Sequence, residues 1–104
     1  MGNQIRLYSV NNFALQTYKS HIKGNSDLSY EEVSKKLTRN VMLGIKIPTA
    51  DKNYVWYAYG HLRILVKNEK RVTCILNYQP ILLDWEEDEP LKKWLNKKLN
   101  IGID

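Results

Sequence analysis

The stretch YVWYAYGHLRILVKNEKRVTCILNY, residues 54–78, decides the fold. It holds four of the seven tyrosines and one of the three tryptophans, among many Val, Ile and Leu residues. Aromatic and β-branched side chains suit the pleated, half-buried surface of a sheet. The composition therefore predicts two or three adjacent antiparallel strands at the centre of a small sheet.

Two breaks divide this stretch. Gly60 interrupts the first run, which indicates either a tight turn or a bulge. We favour the turn, so that residues 54–59 and 62–67 form a hairpin; a bulge would instead make one long bent strand. A second turn over residues 68–70 then starts the strand that begins at Arg71.

The faces of these strands follow from side-chain alternation. Apolar residues occupy both faces of residues 54–59, which indicates a strand covered on both sides. In the last strand, simple alternation predicts that Val72, Cys74 and Leu76 share one face.

Helix signals flank the strands. Ser29 and Glu32 have the spacing of a capping box, followed by Val33, Leu37 and Val41 at helical intervals. An earlier helix is predicted over residues 12–23, with Asn11-Asn12 as its cap and Gly24-Asn25 as its end.

The C-terminal region predicts a third, amphipathic helix. Acidic residues from Asp84 to Glu89 and Pro90 suit a helix start. An apolar stripe follows at Leu91, Trp94, Leu95 and Leu99. We expect Trp94 to fill the core. We also expect Leu91, Trp94 and Leu95 to pack on the sheet or on the first helices, because no other stripe could cover the second apolar face.

Together these elements predict one α+β domain over residues 1–104. It has two N-terminal helices, a three- to four-stranded antiparallel sheet and one C-terminal amphipathic helix, with the helices on one face of the sheet. Short strands over residues 3–10 and 45–47 complete the prediction.

Charge is the main functional signal. The formal net charge is +5, but residues 1–78 carry twelve Lys/Arg and five Asp/Glu, a balance of +7. A basic body favours polyanionic partners, chiefly RNA and also DNA. A solvated lysine-rich surface would give the same composition.

Several classes of protein are disfavoured. One cysteine, Cys74, forbids an internal disulfide and paired-cysteine metal sites, which favours a cytoplasmic setting. No apolar run approaches the ~20 residues of a membrane span, and no secretory signal pattern opens the chain. No metal motif, glycine-rich phosphate loop or nucleophile elbow occurs, so we expect neither a metal nor a cofactor.

The residues left for chemistry are basic and aromatic. Metal-free RNA cleavage needs a base for the ribose 2′-hydroxyl, an acid for the leaving oxygen and cations for the phosphorane charge. The candidates from helices and strands are Lys19, His21, Lys23, Arg39, Tyr57, Tyr59, His61, Arg63, Lys67, Arg71 and Thr73.

A resemblance to a known group of proteins indicates which of these residues would act in catalysis and which would bind the nucleic acid. The runs YAYGHLRILV, residues 57–66, and RVTCIL, residues 71–76, follow two predicted helices. This order resembles the RelE-like toxins and the wider barnase–EndoU–colicin–RelE ribonuclease fold group, over roughly residues 12–78. The resemblance implies a metal-independent endoribonuclease with His21, His61, Arg63 and Thr73 at the reaction centre. The other seven candidates would bind the nucleic acid: Lys19, Lys23, Arg39, Tyr57, Tyr59, Lys67 and Arg71.

Three hypotheses follow. The protein is a small toxin-like or phage-borne endoribonuclease, or a non-catalytic nucleic-acid-binding relative, or a small phage or mobile-element protein that binds and inhibits a host protein. An antitoxin is a further expected partner under the first. Tyr57, Tyr59 and His61 discriminate: a basic groove around them favours nucleic acid, and a flat apolar patch favours a protein partner.

Overall fold

The computed structural model describes residues 5–22, 27–78, 80–82 and 84–101. The helical segments are α1 (Asn12–Thr17), a π-helical turn (Tyr18–Ile22), α2 (Tyr30–Leu43) and α3 (Glu89–Lys98). The strands are β1 (Ser9–Val10), β2 (Ile45–Pro48), β3 (Tyr54–Tyr59), β4 (Leu62–Lys67) and β5 (Arg71–Asn77).

The sheet has five strands in the order β1-β5-β4-β3-β2, and it is mixed. β2 to β5 pair antiparallel, whereas β1 pairs parallel with β5. The predicted three- to four-stranded antiparallel sheet is therefore wrong in strand number and in type. The α+β arrangement and the central position of residues 54–78 are as expected.

Strand β1 has only two residues, and side chains of α2 bond to the backbone on either side of Ser9. Ser34 Oγ donates to the carbonyl of Tyr8, and Thr38 Oγ1 accepts from the backbone N–H of the same residue at 2.9 Å. Tyr30 Oη accepts from the N–H of Val10, also at 2.9 Å. Polar side chains of a helix thus satisfy backbone groups that a neighbouring strand would otherwise pair.

Local signals at the helix starts are confirmed. Ser29 and Glu32 form both bonds of the capping box, and Gly44 caps the end of α2. Asn11 caps α1 and accepts from the N–H of Ala14. Asp88 caps α3, with Pro90 in the first turn. The expected helix end at Gly24-Asn25 lies outside the described residues.

The hairpin at Gly60 is also confirmed. β3 pairs with β4 from Tyr54↔Lys67 to Tyr59↔Leu62, and Gly60 has a φ of 57°. Left-handed backbone at this position costs glycine little, because it has no Cβ. The next turn places Asn68 and Glu69 in the same region, at φ values of 54° and 58°.

A β-bulge at Thr73 changes the faces of β5. Leu65 pairs with Cys74 and the next residue of β4, Val66, pairs with Val72, so Thr73 is the extra residue. Val72 and Ile75 consequently face the helices and are buried, whereas Cys74 and Leu76 face the other way. The prediction that Val72 shares a face with Cys74 and Leu76 is wrong because simple alternation ignores the inserted residue.

The core lies between one face of the sheet and the helices. Its buried side chains are Val10, Ala14, Tyr18, Val33, Leu37, Val41, Leu62, Ile64, Val66, Val72 and Ile75. Helix α3 contacts α2 through buried Leu95, and Arg39 of α2 donates to Asn96 of α3. Trp94 is 51 % exposed. The expectation that Trp94 fills the core is therefore wrong. The expected packing of this helix on the earlier helices is confirmed for Leu95, which packs on α2, but α3 does not cover the second face of the sheet.

The segment between β5 and α3 passes around the tip of the β3–β4 hairpin. On one side of the sheet, Arg63 donates to the carbonyl of Pro80 at 2.7 Å. On the other side, Trp85 packs edge-on against Tyr59, with ring centroids 5.0 Å apart. The segment thus places α3 on the same side of the sheet as the other helices, and no helix of the described chain lies across the opposite face.

No described helix is long and apolar enough to cross a membrane.

Candidate nucleic-acid interface

The uncovered side of the sheet, which we call the open face, is set by strand register. Paired residues in antiparallel strands point to the same side. Ile47 pairs with Trp56, Trp56 with Leu65, and Leu65 with Cys74. The open face therefore carries the side chains of Ile45, Ile47, Tyr54, Trp56, Arg63, Leu65, Lys67, Arg71, Cys74 and Leu76, and Tyr78 lies beside them.

A shallow apolar groove of about 250 Å³ crosses this face. It is lined by Ile47, Trp56, Arg63, Leu76 and Tyr78. Leu76 and Tyr78 are 47 % and 54 % exposed. Apolar and aromatic surface is thus accessible beside a guanidinium group.

The charge on the open face has one sign. Lys67 and Arg71 are paired at the end of β4 and β5, and both are exposed. Lys67 Nζ lies 5.9 Å from the centroid of the Tyr54 ring, a cation–π arrangement. No Asp or Glu occurs in β2, β3, β4 or β5. The cations of the open face are therefore not offset by any carboxylate of these strands.

Two predicted cationic residues have protein partners. Arg63 is buried; it donates to the carbonyl oxygens of Gly60 and Pro80 at 2.8 and 2.7 Å, and its guanidinium lies 5.1 Å from the Tyr78 ring centroid. Arg39 is also buried, and it donates to the side-chain oxygens of Asn40 and Asn96. Both guanidinium groups therefore have a structural role, because they bind oxygen atoms of the protein itself.

The two imidazoles have separate surroundings. His21 is exposed in the π-helical turn, where its Nδ1 lies 3.0 Å from Ser20 Oγ. His61 is exposed at the hairpin tip, with Nδ1 3.2 Å from the carbonyl oxygen of Tyr78. These contacts share no residue, and only His61 adjoins the open-face groove, through Tyr78.

The remaining predicted residues are divided between the two sides. Tyr57 and Tyr59 are half-buried against the core on the helical side, so neither surrounds an exposed basic groove. Lys19 lies in the π-helical turn, and Lys23 falls outside the described residues. Thr73 occupies the bulge, where its hydroxyl donates to the carbonyl of Leu65 at 3.4 Å. The structure brings Arg63, Lys67 and Arg71 to one face.

The aromatic residues of the open face were not singled out by the sequence prediction. Tyr54 and Trp56 alternate along β3, and Tyr78 follows β5. The alternation was visible in the sequence. What was missing was the knowledge of which side of the sheet stays uncovered, and that depends on where α3 packs.

A second polar cluster lies on the helical side. Tyr59 Oη donates to Glu87 Oε1 at 3.1 Å, and Lys92 Nζ lies 3.5 Å from the same oxygen. Burial raises the pKa of the Tyr59 hydroxyl. The hydrogen bond with Tyr59 raises the pKa of Lys92. At neutral pH the tyrosine is therefore neutral and the lysine charged.

Among the described residues, no cluster of His, Cys, Asp and Glu could hold a metal ion.

Comparison with known families places the chain in a class of small phage-type proteins. The YorE family model matches residues 8–98, so the chain belongs to the YorE family. No curated protein and no solved structure matches it.

Proposed function

We propose that this protein binds single-stranded nucleic acid, RNA foremost, on the open face of its sheet, and that binding rather than cleavage is its activity. The observation that supports this most is one uncovered face that combines three aromatic rings with cations, on strands that contain no carboxylate. Membership of a phage-type family is compatible with such a role.

The chemistry of the face suits unpaired bases. Base–aromatic stacking is worth about 1–3 kcal/mol per base and tolerates any sequence, because every base has a π-face. Trp56 and Tyr78 line the groove, and Tyr54 stands at the basic end with Lys67. Lys67 and Arg71 can contact the phosphates that run beside stacked bases.

Binding without cleavage is favoured by the arrangement of the candidate catalytic groups. An acid and a base must flank one phosphate within hydrogen-bond reach. His21 and His61 contact different parts of the chain, and Arg63 uses its guanidinium on two carbonyl groups. Cleavage stays the alternative that the RelE-like resemblance supports, with His61 beside Tyr78 as its strongest candidate.

The test is fluorescence anisotropy of a labelled single-stranded RNA across a salt series. We expect binding that weakens as salt rises, because each neutralised phosphate releases counterions. Lys67→Gln and Arg71→Gln should each weaken binding and lower the slope of log K against log salt by about 1. Lys97→Gln on α3 is the matched control and should change neither quantity.

The outcomes separate the hypotheses. Absence of binding to single-stranded RNA and DNA at low salt would contradict the proposal and leave the inhibition of a host protein as the better account. The same RNA, analysed for cleavage with and without chelator, tests the ribonuclease alternative. Cleavage by wild type that His61→Ala or His21→Ala lowers by ~10²-fold would establish catalysis in place of simple binding.

A further inference from the structure

A second cavity lies on the helical side of the sheet, remote from the open face. It measures about 310 Å³ and lies between the π-helical turn, α2, β3, β4 and α3. Sites for small molecules typically measure ~300–1,000 Å³. Its lining residues are Tyr18, Ile22, Arg39, Asn40, Tyr59, Leu62 and Lys92.

The polar wall of this cavity holds unused donors. Arg39 is 5 % exposed, and it uses Nε and Nη1 on the side-chain oxygens of Asn40 and Asn96. No hydrogen bond between the described residues uses Arg39 Nη2 or the amide nitrogen of Asn40. Among the described residues, Glu87 Oε2 is the one side-chain nitrogen or oxygen that is both buried and without a hydrogen-bond partner. The two nitrogens of Arg39 and Asn40 are therefore accessible from the cavity.

The charge of the cavity is positive. Arg39 makes its bonds to neutral amide oxygens, and no carboxylate of the described chain forms an ion pair with it. Lys92 forms an ion pair with Glu87, with 3.5 Å between Lys92 Nζ and Glu87 Oε1. Among the described residues, these two cations and one carboxylate leave one net positive charge. A buried cation without an anionic partner is costly, and a bound anion would remove that cost.

The opposite wall is apolar. Tyr18 and Ile22 come from the π-helical turn, and Leu62 comes from the start of β4. π-helical turns are rare and occur frequently at functional sites. Here the turn supplies two of the wall residues. The cavity thus offers nitrogen donors on one side and hydrocarbon on the other.

We propose that this cavity binds a small organic oxyanion, a phosphate monoester or a carboxylate, whose charged group contacts Arg39, Asn40 and Lys92 while its apolar body packs against Tyr18, Ile22 and Leu62. Arginine, lysine and amide N–H groups are the donors that recognise such oxyanions, and the charge-assisted bonds are the strong ones. The site is independent of the open face and of the proposed binding of nucleic acid.

The test is an NMR titration of the full chain with phenyl phosphate, benzoate and inorganic phosphate, each up to about 10 mM, a range that detects weak binding. We expect saturable shifts of the Asn40 side-chain amide and of the Arg39 Nε–H with phenyl phosphate or benzoate, and a much weaker response to inorganic phosphate. The tighter of the two organic probes assigns the ligand to phosphate esters or to carboxylates.

Matched variants of α3 complete the design. Lys92→Gln should weaken binding about tenfold, because it removes a charge-assisted contact. Lys93→Gln, an exposed neighbour, should leave the affinity unchanged, and the backbone spectra of both variants report that the fold is intact. The proposal is overturned if no probe saturates, if the shifts lie elsewhere, if inorganic phosphate binds as well as phenyl phosphate, or if the two variants behave alike.

Discussion

At the scale of single residues, Arg63 is a cation whose hydrogen bonds stabilise the fold. The sequence prediction placed it at the reaction centre, but its guanidinium donates to the carbonyls of Gly60 and Pro80. It therefore ties the β3–β4 turn to the segment that leaves β5. A buried guanidinium that satisfies two carbonyl groups is costly to remove, because both acceptors lose their donor.

Arg63→Ala should lower the free energy of unfolding by about 2–4 kcal/mol, through two lost charge-assisted hydrogen bonds. Arg71→Ala, on the same face but exposed, should change it by less than ~0.5 kcal/mol. Denaturant unfolding of both variants measures the difference. Equal and small effects would mean that the Arg63 contacts do not hold the hairpin tip in place.

Glu32 gives a pH-dependent prediction at the same scale. The hydrogen bonds from the backbone and side chain of Ser29 hold the pKa of Glu32 below its ordinary value of 4.5. A depressed pKa in the folded state contributes stability above the unfolded pKa, and that stability is lost as the pH falls through the folded value.

Glu32→Ala should therefore be less stable than wild type at pH 7, with a difference that shrinks as the pH falls below about 4.5. Ser29→Ala should cost about 1 kcal/mol at pH 7, because it removes the cap of α2. Urea unfolding at several pH values measures both effects, with exposed Glu86→Ala as a neutral control. A Glu32→Ala difference that is constant with pH would contradict the role of the carboxylate in the cap.

At the scale of elements, α3 is attached to α2 by a narrow stripe. Leu95 is fully buried and Leu99 nearly so, whereas Trp94 and Leu91 are partly exposed. The sequence spacing of the apolar stripe was correct, but half of the stripe faces away from the core. The stability contributed by α3 should therefore come from Leu95 and not from the larger Trp94.

Leu95→Ala should cost about 2–5 kcal/mol, because it leaves a cavity between two helices. Trp94→Ala should cost less than ~1 kcal/mol, since the indole is half exposed in the native state. Thermal or denaturant unfolding of the two variants ranks them. A larger loss for Trp94→Ala than for Leu95→Ala would show that α3 packs on a different side.

At the scale of the whole molecule, the sequence predicted those features that depend on neighbouring residues. The capping box at Ser29, the hairpin at Gly60 and the start of α3 at Asp88 each have a local chemical cause. The parallel pairing of β1 has no such local cause, because it joins Ser9 to Arg71, which lies far away in the sequence. The bulge at Thr73 is likewise invisible to simple alternation.

The residues of the candidate interface divide in the same way, into those that the sequence predicted and those that depend on tertiary packing. Lys67 and Arg71 were predicted as nucleic-acid contacts from charge alone, and both lie on the open face. Trp56 and Tyr78 were missed, because their exposure is decided by α3 packing on α2 instead of on the sheet. Composition thus identified the basic strands, whereas tertiary packing determined which aromatic side chains stand beside them.

The most direct measurement of the central claim follows two indoles of the same chain. Trp56 lies in the open-face groove, and Trp94 is an exposed internal control on α3. In an NMR titration with a short single-stranded RNA, we predict a saturable shift of the Trp56 indole N–H, an unchanged Trp94 signal, and a loss of affinity in Trp56→Leu. A shift at Trp94 with Trp56 unaffected, or no saturable shift at either indole, would contradict the claim that the open face binds nucleic acid.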